Sequence, residues 1–298
     1  MCIRDRLLRA KSLGSWRLLG AKKSRMIGLV VAYLDNYFYP EALELLSSAL
    51  QKKGYHVLIF MSGNKEGDIA DAVDEILDYQ VDGIIAASVS MSSDLAKRCT
   101  SAGVPVVLFN RTQDDDRLSA VTSDNFQGGQ KVARFLLAGG HKRIGYIAGW
   151  EGASTQRDRE KGFTEELVRN GQELYAREVG NFNSDEARQA ARTMFSKQNF
   201  PDAVFVANDA MAIAVIDVIR FELGLQVPEQ VSVVGYDDVP ISSWPAYDLT
   251  TVRQPANRMV AETVSILIES IENKTTTARR VEIDGPLMVR GSAKISDK

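Results

Sequence analysis

Val231-Ser232-Val233-Val234-Gly235-Tyr236-Asp237-Asp238 is a short, β-branched apolar run that ends abruptly in acids. Such a run reads as a buried parallel strand that delivers carboxylates to its C-terminal end. In open α/β sheets ligands bind just beyond those ends, which puts Asp237 where a small molecule would sit. On this stretch alone a second reading stands level with the first, namely that Asp237 and Asp238 cap a turn.

Working outward, the same unit recurs. A strand at 203–207 and a helix at 210–223 precede the decisive run, and helices at 156–170 and 185–196 flank a strand near Glu178-Val179. Earlier still, a helix at 125–138 leads through Gly139-Gly140 to a strand at 144–148. The first third alternates likewise: strands at 26–32, 57–60, 83–86 and 106–109, with helices at 40–53, 68–79 and 92–101 between them. Alternation at this spacing predicts parallel sheets with right-handed helical crossovers. Gly54 falls where a residue just past a helix must take positive φ. After the second series come a strand at 250–253, a helix at 256–272 and short strands at 281–283 and 287–289. Too little chain remains there for a third domain. The expected fold is therefore α/β, with two doubly wound lobes joined by several connections that permit closure around a ligand.

Composition narrows the class. Two cysteines (Cys2, Cys99) and two histidines (His56, His141) exclude a disulfide framework and a Cys/His zinc site, and suit a reducing compartment. No apolar run approaches the roughly 20 residues of a membrane helix. Residues 1–25 hold eight Lys/Arg against Asp5, a net of +7. With a formal total of −3, the remainder carries −10. A basic arm on an acidic body suggests an anionic partner such as nucleic acid, although on this feature alone a solvated tail is the stronger reading. Lys11, Arg17, Lys22 and Lys23 interrupt any apolar secretory core, so a cytoplasmic location is expected.

Enzyme signatures are missing: there is no G-x-S-x-G elbow, phosphate-cradling G-x-x-x-x-G-K-[ST] loop, H-E-x-x-H or G-x-G-x-x-G. Neither catalysis nor a cofactor or metal is expected. What does recur is a polar pair just after a strand: Asn110-Arg111, Asn208-Asp209 and Asp237-Asp238. Amide, guanidinium and carboxylate groups together suit a ligand dense in hydroxyls. Tyr37, Phe38 and Tyr39 before the first helix, and Phe182 after the strand near Val179, add aromatic faces for a sugar ring or a base. Taken singly, Asn208 or Asp209 could be a helix cap and Phe182 a core residue.

Residues 26 to about 293 resemble the effector-binding region of the LacI family of transcriptional regulators, which is similar to the periplasmic sugar-binding proteins. The motifs include Ile27-Gly28-Leu29-Val30, Val104-Pro105-Val106-Val107-Leu108-Phe109-Asn110-Arg111, and Asp124-Asn125-x-x-Gly128-Gly129. Further on come Gly140-His141-Lys142-Arg143-Ile144-Gly145, Arg159-x-x-Gly162-Phe163, Asn208-Asp209-x-Met211-Ala212 and Leu249-Thr250-Thr251-Val252-x-Gln254-Pro255. The resemblance implies lobes of 26–124 plus 254–284 and 125–253 plus 285–298, joined by three crossovers near 123–126, 252–254 and 284–287.

By position it also implies that Arg159 grips the effector, with Asn208 and Asp237 as polar partners. Phe182, Tyr37 and Phe38 fall at its aromatic positions, Asn110 and Arg111 at its hydroxyl contacts, and Asp124 and Gln254 at its hinge. It implies a homodimer with a sugar-like effector and operator DNA as partners. Nothing here reads as the family's N-terminal helix-turn-helix. Arg9-Ala10-Lys11-Ser12-Leu13 looks like a hinge-helix remnant and 1–6 like an artefact, so weak, non-specific DNA binding is expected of the arm. The rival reading is a solute-binding protein of a sugar transporter.

Overall fold

The computed structural model describes residues 24–295 except 33, 63–65, 90, 114–116 and 274–276. The arm's hinge-helix remnant lies outside the described residues. Its last two residues fall within them: Asp82 accepts the amides of Ser24 (3.0 Å) and Arg25 (2.9 Å), which anchors the start of the first strand.

The first half runs β1 (Met26–Val31), α1 (Phe38–Lys52), β2 (His56–Met61), α2 (Glu66–Asp78), β3 (Gly83–Ala87), α3 (Ser93–Ser101), β4 (Val106–Phe109) and β5 (Ser119–Ser123). The second runs α4 (Asn125–Ala138), β6 (Ile144–Ala148), α5 (Ser154–Arg169), β7 (Ala176–Val179), α6 (Ser184–Phe195), β8 (Ala203–Val206), α7 (Asp209–Asp217) and β9 (Ser232–Asp237). The chain closes with β10 (Thr250–Arg253), α8 (Ala256–Asn273), β11 (Arg280–Ile283) and β12 (Leu287–Met288). Two six-stranded sheets result, in the orders β11-β5-β4-β3-β1-β2 and β12-β10-β9-β8-β6-β7. Every pairing is parallel except β10 with β12.

Strands β1, β3, β4, β6 and β8 are almost wholly apolar and buried, as strands of a parallel sheet covered on both faces require. In the second sheet Tyr146, Phe163 and Phe205 form a ring cluster with centroids 5.0 to 5.8 Å apart. In the first, α8 lays Met259, Val264 and Leu267 against Phe109, Val121 and Ile283. The chain passes between sheets three times: from β5 to α4, from β10 to α8, and from β11 to β12. These crossovers run side by side. The Asp124 amide donates to Ile283 O (3.0 Å), the Arg253 amide to Pro286 O (2.9 Å), and a Cβ on Gly285 would overlap the Arg253 carbonyl. Tyr236 Oη sits 2.9 Å from Ser123 Oγ, bracing the second lobe against the first crossover.

Three details depart from expectation. Strand β5 is absent from the sequence reading, since Ser119, Thr122 and Ser123 leave no apolar run to mark it. It lies buried between β4 and β11, with Ser119 Oγ accepting the Arg279 amide (3.1 Å) and Ser123 Oγ meeting Tyr236. Helix α1 begins at Phe38, not at Pro40, since Asn36 Oδ1 accepts the Phe38 amide (3.0 Å) and starts the turn early. The helix expected over 210–223 ends at Asp217 and continues as a π-helical turn, Val218–Glu222. Gly54 has φ +78°, as its position after α1 demands.

Candidate functional site

Parallel strands bring their C-terminal ends to one edge of each sheet, and here the two edges face each other. From the first lobe come Asn36 after β1 and Asn110-Arg111 after β4. From the second come Trp150 after β6, Asn208 after β8 and Asp237 at the end of β9. Contacts cross the gap. Asn36 Nδ2 donates to Asp237 Oδ2 (2.8 Å); elsewhere the Arg111 guanidinium lies 5.4 Å from the Trp150 ring centre, and the Thr112 amide donates to Ser154 Oγ (3.0 Å).

Arg159, on α5, is the centre of the buried network and is only 2% exposed. It donates from Nε to Asn125 Oδ1 (2.8 Å) and from Nη1 to Ala207 O (2.5 Å), and its Nη2 stands 3.7 Å from Asp237 Oδ1. Its guanidinium also covers the Tyr236 ring at 3.7 Å. Asp237 holds a positive φ of +128° and accepts from Gln254 Nε2 (2.7 Å) as well as from Asn36. Burial raises the Asp237 carboxyl above its ordinary range, while Arg159 and the two amide donors pull it back. Burial, with Arg159 again opposing, pushes Tyr236 up to about 12.

The remaining expected residues fall as follows. Asn208 caps α7 by accepting the Met211 amide (3.0 Å), and its neighbour Ala207 holds Arg159. Asn110, at φ +65°, donates to Tyr39 Oη (3.0 Å). The tip of the Phe182 ring abuts Gly149, where a Cβ would overlap Cζ and Cε1. Asp124 caps α4 through the Gln127 amide (2.9 Å). Phe38 stacks on Phe109 at 6.2 Å inside the first lobe, yet it also borders a cavity of about 520 Å³. That cavity is lined too by Asp237, Gln254, Ser243, Arg258 and Arg290. Tyr37 is 54% exposed and does not border it.

Thus Arg159, Asp237 and Gln254 share one buried polar network and Asn208 adjoins it through Ala207, while Tyr37 stands apart in solvent. Sequence reasoning assigned no role to Asn36, Asn125 or Tyr236, and it weighed Asp209 both among the strand-end polar pairs and as a helix cap. Asn125 and Asp209 each follow a residue that was singled out, and Asn36 immediately precedes the aromatic trio. Asn36, Asn125 and Asp209 all fall at strand-to-helix connections, and that position was the available signal.

Two doubly wound lobes, three parallel crossovers and buried polar groups on the facing strand ends define a hinged ligand-binding protein. The family model described as "Periplasmic binding protein-like domain" matches residues 133–293. The HTH-type transcriptional repressor PurR of Pasteurella multocida (strain Pm70) is 28% identical over 283 residues, 93% of this chain and 84% of that protein. Among solved structures, a complex of the transcriptional regulator CelR with cellobiose is 30% identical with a TM-score of 0.83, covering 97% of this chain and 90% of that one. The lac repressor dimer bound to operator shares the fold, with a TM-score of 0.83 at 23% identity over 99% of this chain and 100% of that one. The chain belongs to the periplasmic-binding-protein-like family and, within it, to the LacI-type transcriptional regulators. Among the described residues no cluster of three or more His, Cys, Asp or Glu could hold a metal, and no helix is long and apolar enough to cross a membrane.

Proposed function

We propose that the chain is the ligand-sensing core of a repressor-type regulator, acting in the cytoplasm, and that its effector is a sugar-like molecule held between the lobes. One observation carries this reading. Asn110 Oδ1, Gln254 Oε1 and Asn208 Nδ2 are buried and find no hydrogen-bond partner among the described residues. Each such orphan costs about 1–3 kcal/mol, so a partner is expected. Two acceptors and a donor at one interlobe edge are what hydroxyls, which both donate and accept, can complete. The cellobiose bound to CelR supports the same ligand class. Asp237 and Arg159 then orient the effector, with Asn110, Arg111, Asn208 and Gln254 around it and Phe38 and Phe182 as apolar faces.

In this reading residues 26–124 plus 254–284 close as one body on 125–253 plus 285–298, with Asp124 and Gln254 at the pivots. Closure shifts the population that holds the DNA-binding head of the intact protein on its operator. A transporter's solute-binding protein is the less favoured reading, because the similar proteins named above are transcriptional regulators.

A thermal-shift screen of cellobiose, other sugars, sugar phosphates and nucleobases tests the site. A ligand at a hundred times its Kd should add about 2.7 kcal/mol of stability. Asp237→Ala should erase that gain; an undiminished gain in the variant removes the proposed pocket.

We further infer a homodimer. Ile59, Met61 and Tyr79 line one groove of the first lobe and are each about half exposed, a contiguous apolar patch of the kind a second copy covers. Sedimentation equilibrium should give twice the chain mass of 32.9 kDa; a mass of one chain at micromolar concentration retires the dimer.

A further inference from the structure

Beyond Asp237 the chain does not stay wholly with its own lobe. Val239 follows the end of β9 by two residues, and its backbone belongs to the second lobe, because its amide donates to Asp209 Oδ2 (3.0 Å) on α7. Its side chain goes elsewhere. Only 2% exposed, Val239 is buried in the apolar cluster of the first sheet, together with Phe38, Tyr39 and Ala42 of α1 and Met259 and Val260 of α8. Ile241, two residues on, packs against the same cluster. Asp237, two residues back, meets the first lobe through Asn36.

Asp238 and Ser242 face the other way. Asp238 accepts Arg253 Nε and Arg290 Nη2, each at 2.6 Å, and Ser242 Oγ donates to Asp209 Oδ2 (2.7 Å). Asp209 is itself fixed, since Thr251 Oγ1 on β10 donates to its Oδ1 (2.6 Å) and Gly235 lets β9 lie against that oxygen, where a Cβ would overlap it. The second lobe therefore grips this segment by buried polar bonds, while the first lobe holds its apolar side chains.

The two grips respond differently if the lobes part. Asn36 and Asp237 can exchange their bond for bonds to water, so that contact adds little to closure. Val239 and Ile241 have no such substitute, and their exposure opposes opening. Burial of one valine side chain is worth about tenfold to a hundredfold in an equilibrium constant.

We propose that Val239 is a positioning residue: seated in the opposite lobe, it holds the lobes together in the unliganded chain and keeps Asp237 at the pocket before an effector arrives. An effector then meets a site already assembled, and less of its binding energy goes into closing the lobes. That consequence rests on the effector reading given above; the seating of Val239 does not.

The test is the spacing of the lobes in the full unliganded chain, read by double electron–electron resonance between spin labels at Asp94→Cys and Asp185→Cys. These residues lie in the first turns of α3 and α6, at the facing edges of the two sheets, and their side chains are 88% and 94% exposed. Cys2→Ser removes the arm's thiol, and the buried Cys99 stays unlabelled. The labelled parent should give one short distance. Val239→Ser should add a longer one, with the open-to-closed ratio raised about a hundredfold, because a serine gains nothing from the apolar seat. Val264→Ala is the control. Val264 is buried in the same cluster but belongs to α8, which packs on the first sheet, so this variant should lower the urea midpoint and leave the distance unmoved.

A Val239→Ser distribution that coincides with the parent's overturns the proposal, as does an equal opening in Val264→Ala. If Val239→Ser does not fold, Ile241→Ser carries the same measurement, and an unmoved distance there overturns it equally. The two readings fail separately. Sugars that give no thermal stabilisation remove the effector and leave the seating of Val239 in place, whereas an unmoved distance removes the seating and leaves the sugar screen as it stands.

Discussion

Arg159→Ala is expected to destabilise the protein by about 3–5 kcal/mol, the usual cost of removing one partner from a buried ion pair. The loss is large because four things depend on the guanidinium. Asn125 Oδ1 and Ala207 O lose their donors, Tyr236 loses the cation on its ring, and Asp237 is left with only the Asn36 and Gln254 amides. With its opposing charge gone, burial alone should drive the Asp237 carboxyl still higher, toward the neutral acid. The variant should therefore lose effector stabilisation as well as fold stability. Arg159→Lys keeps the charge but has no planar fork to reach Asn125 and Ala207 together, so it should fall between the two. Urea unfolding near neutral pH measures both. A cost for Arg159→Ala under about 1 kcal/mol would show that the guanidinium is not holding the lobe together.

Gly162→Ala is the second large effect. Helices α4 and α5 meet backbone to backbone: a Cβ at Gly162 would overlap the Phe126 carbonyl, and one at Gly129 would overlap the Arg159 carbonyl and stand 2.8 Å from the Phe163 amide. Neither obstacle is a flexible side chain that can swing away. Forcing the helices apart should cost about 3 kcal/mol, the upper part of the range for overpacking. It should also draw Arg159 away from Asn125, since these residues sit one on each helix, so ligand stabilisation should weaken in step. Gly171→Ala is the control. It has open space around its Cβ position and a φ of +73°, so only backbone strain of about 1 kcal/mol is expected. Equal urea midpoints for Gly162→Ala and Gly171→Ala would sink the close-contact argument.

Much of the candidate site was legible because parallel strands are read easily. A β-branched run with polar residues at its end marks both the strand and the edge where a ligand gathers. That logic placed Asn110, Asn208 and Asp237, and the motif around Arg159 supplied the residue that periodicity could not single out on a helix. Asn36 was not legible, since its partner Asp237 lies 201 positions away and no local pattern joins them. Tyr37 and Phe38 show the same limit from the other side. Adjacent in sequence, they look alike as aromatics in a loop, but the early start of α1 turns Phe38 onto Phe109 and leaves Tyr37 in water. Strand β5 was hidden for a related reason, as its hydroxyls look like loop chemistry until Arg279 and Tyr236 are seen to bond them.

Alternating apolar periods, strand-end polar residues and glycines at helix ends are short-range facts, and they were enough to specify two wound sheets and the edge where the candidate site lies. The bond from Asn36 to Asp237, the cage around Arg159 and the contact of α4 with α5 came only with the folded chain. Those features depend on which distant groups share a volume without water, and there a charge or a missing Cβ counts for far more than it does along an extended strand.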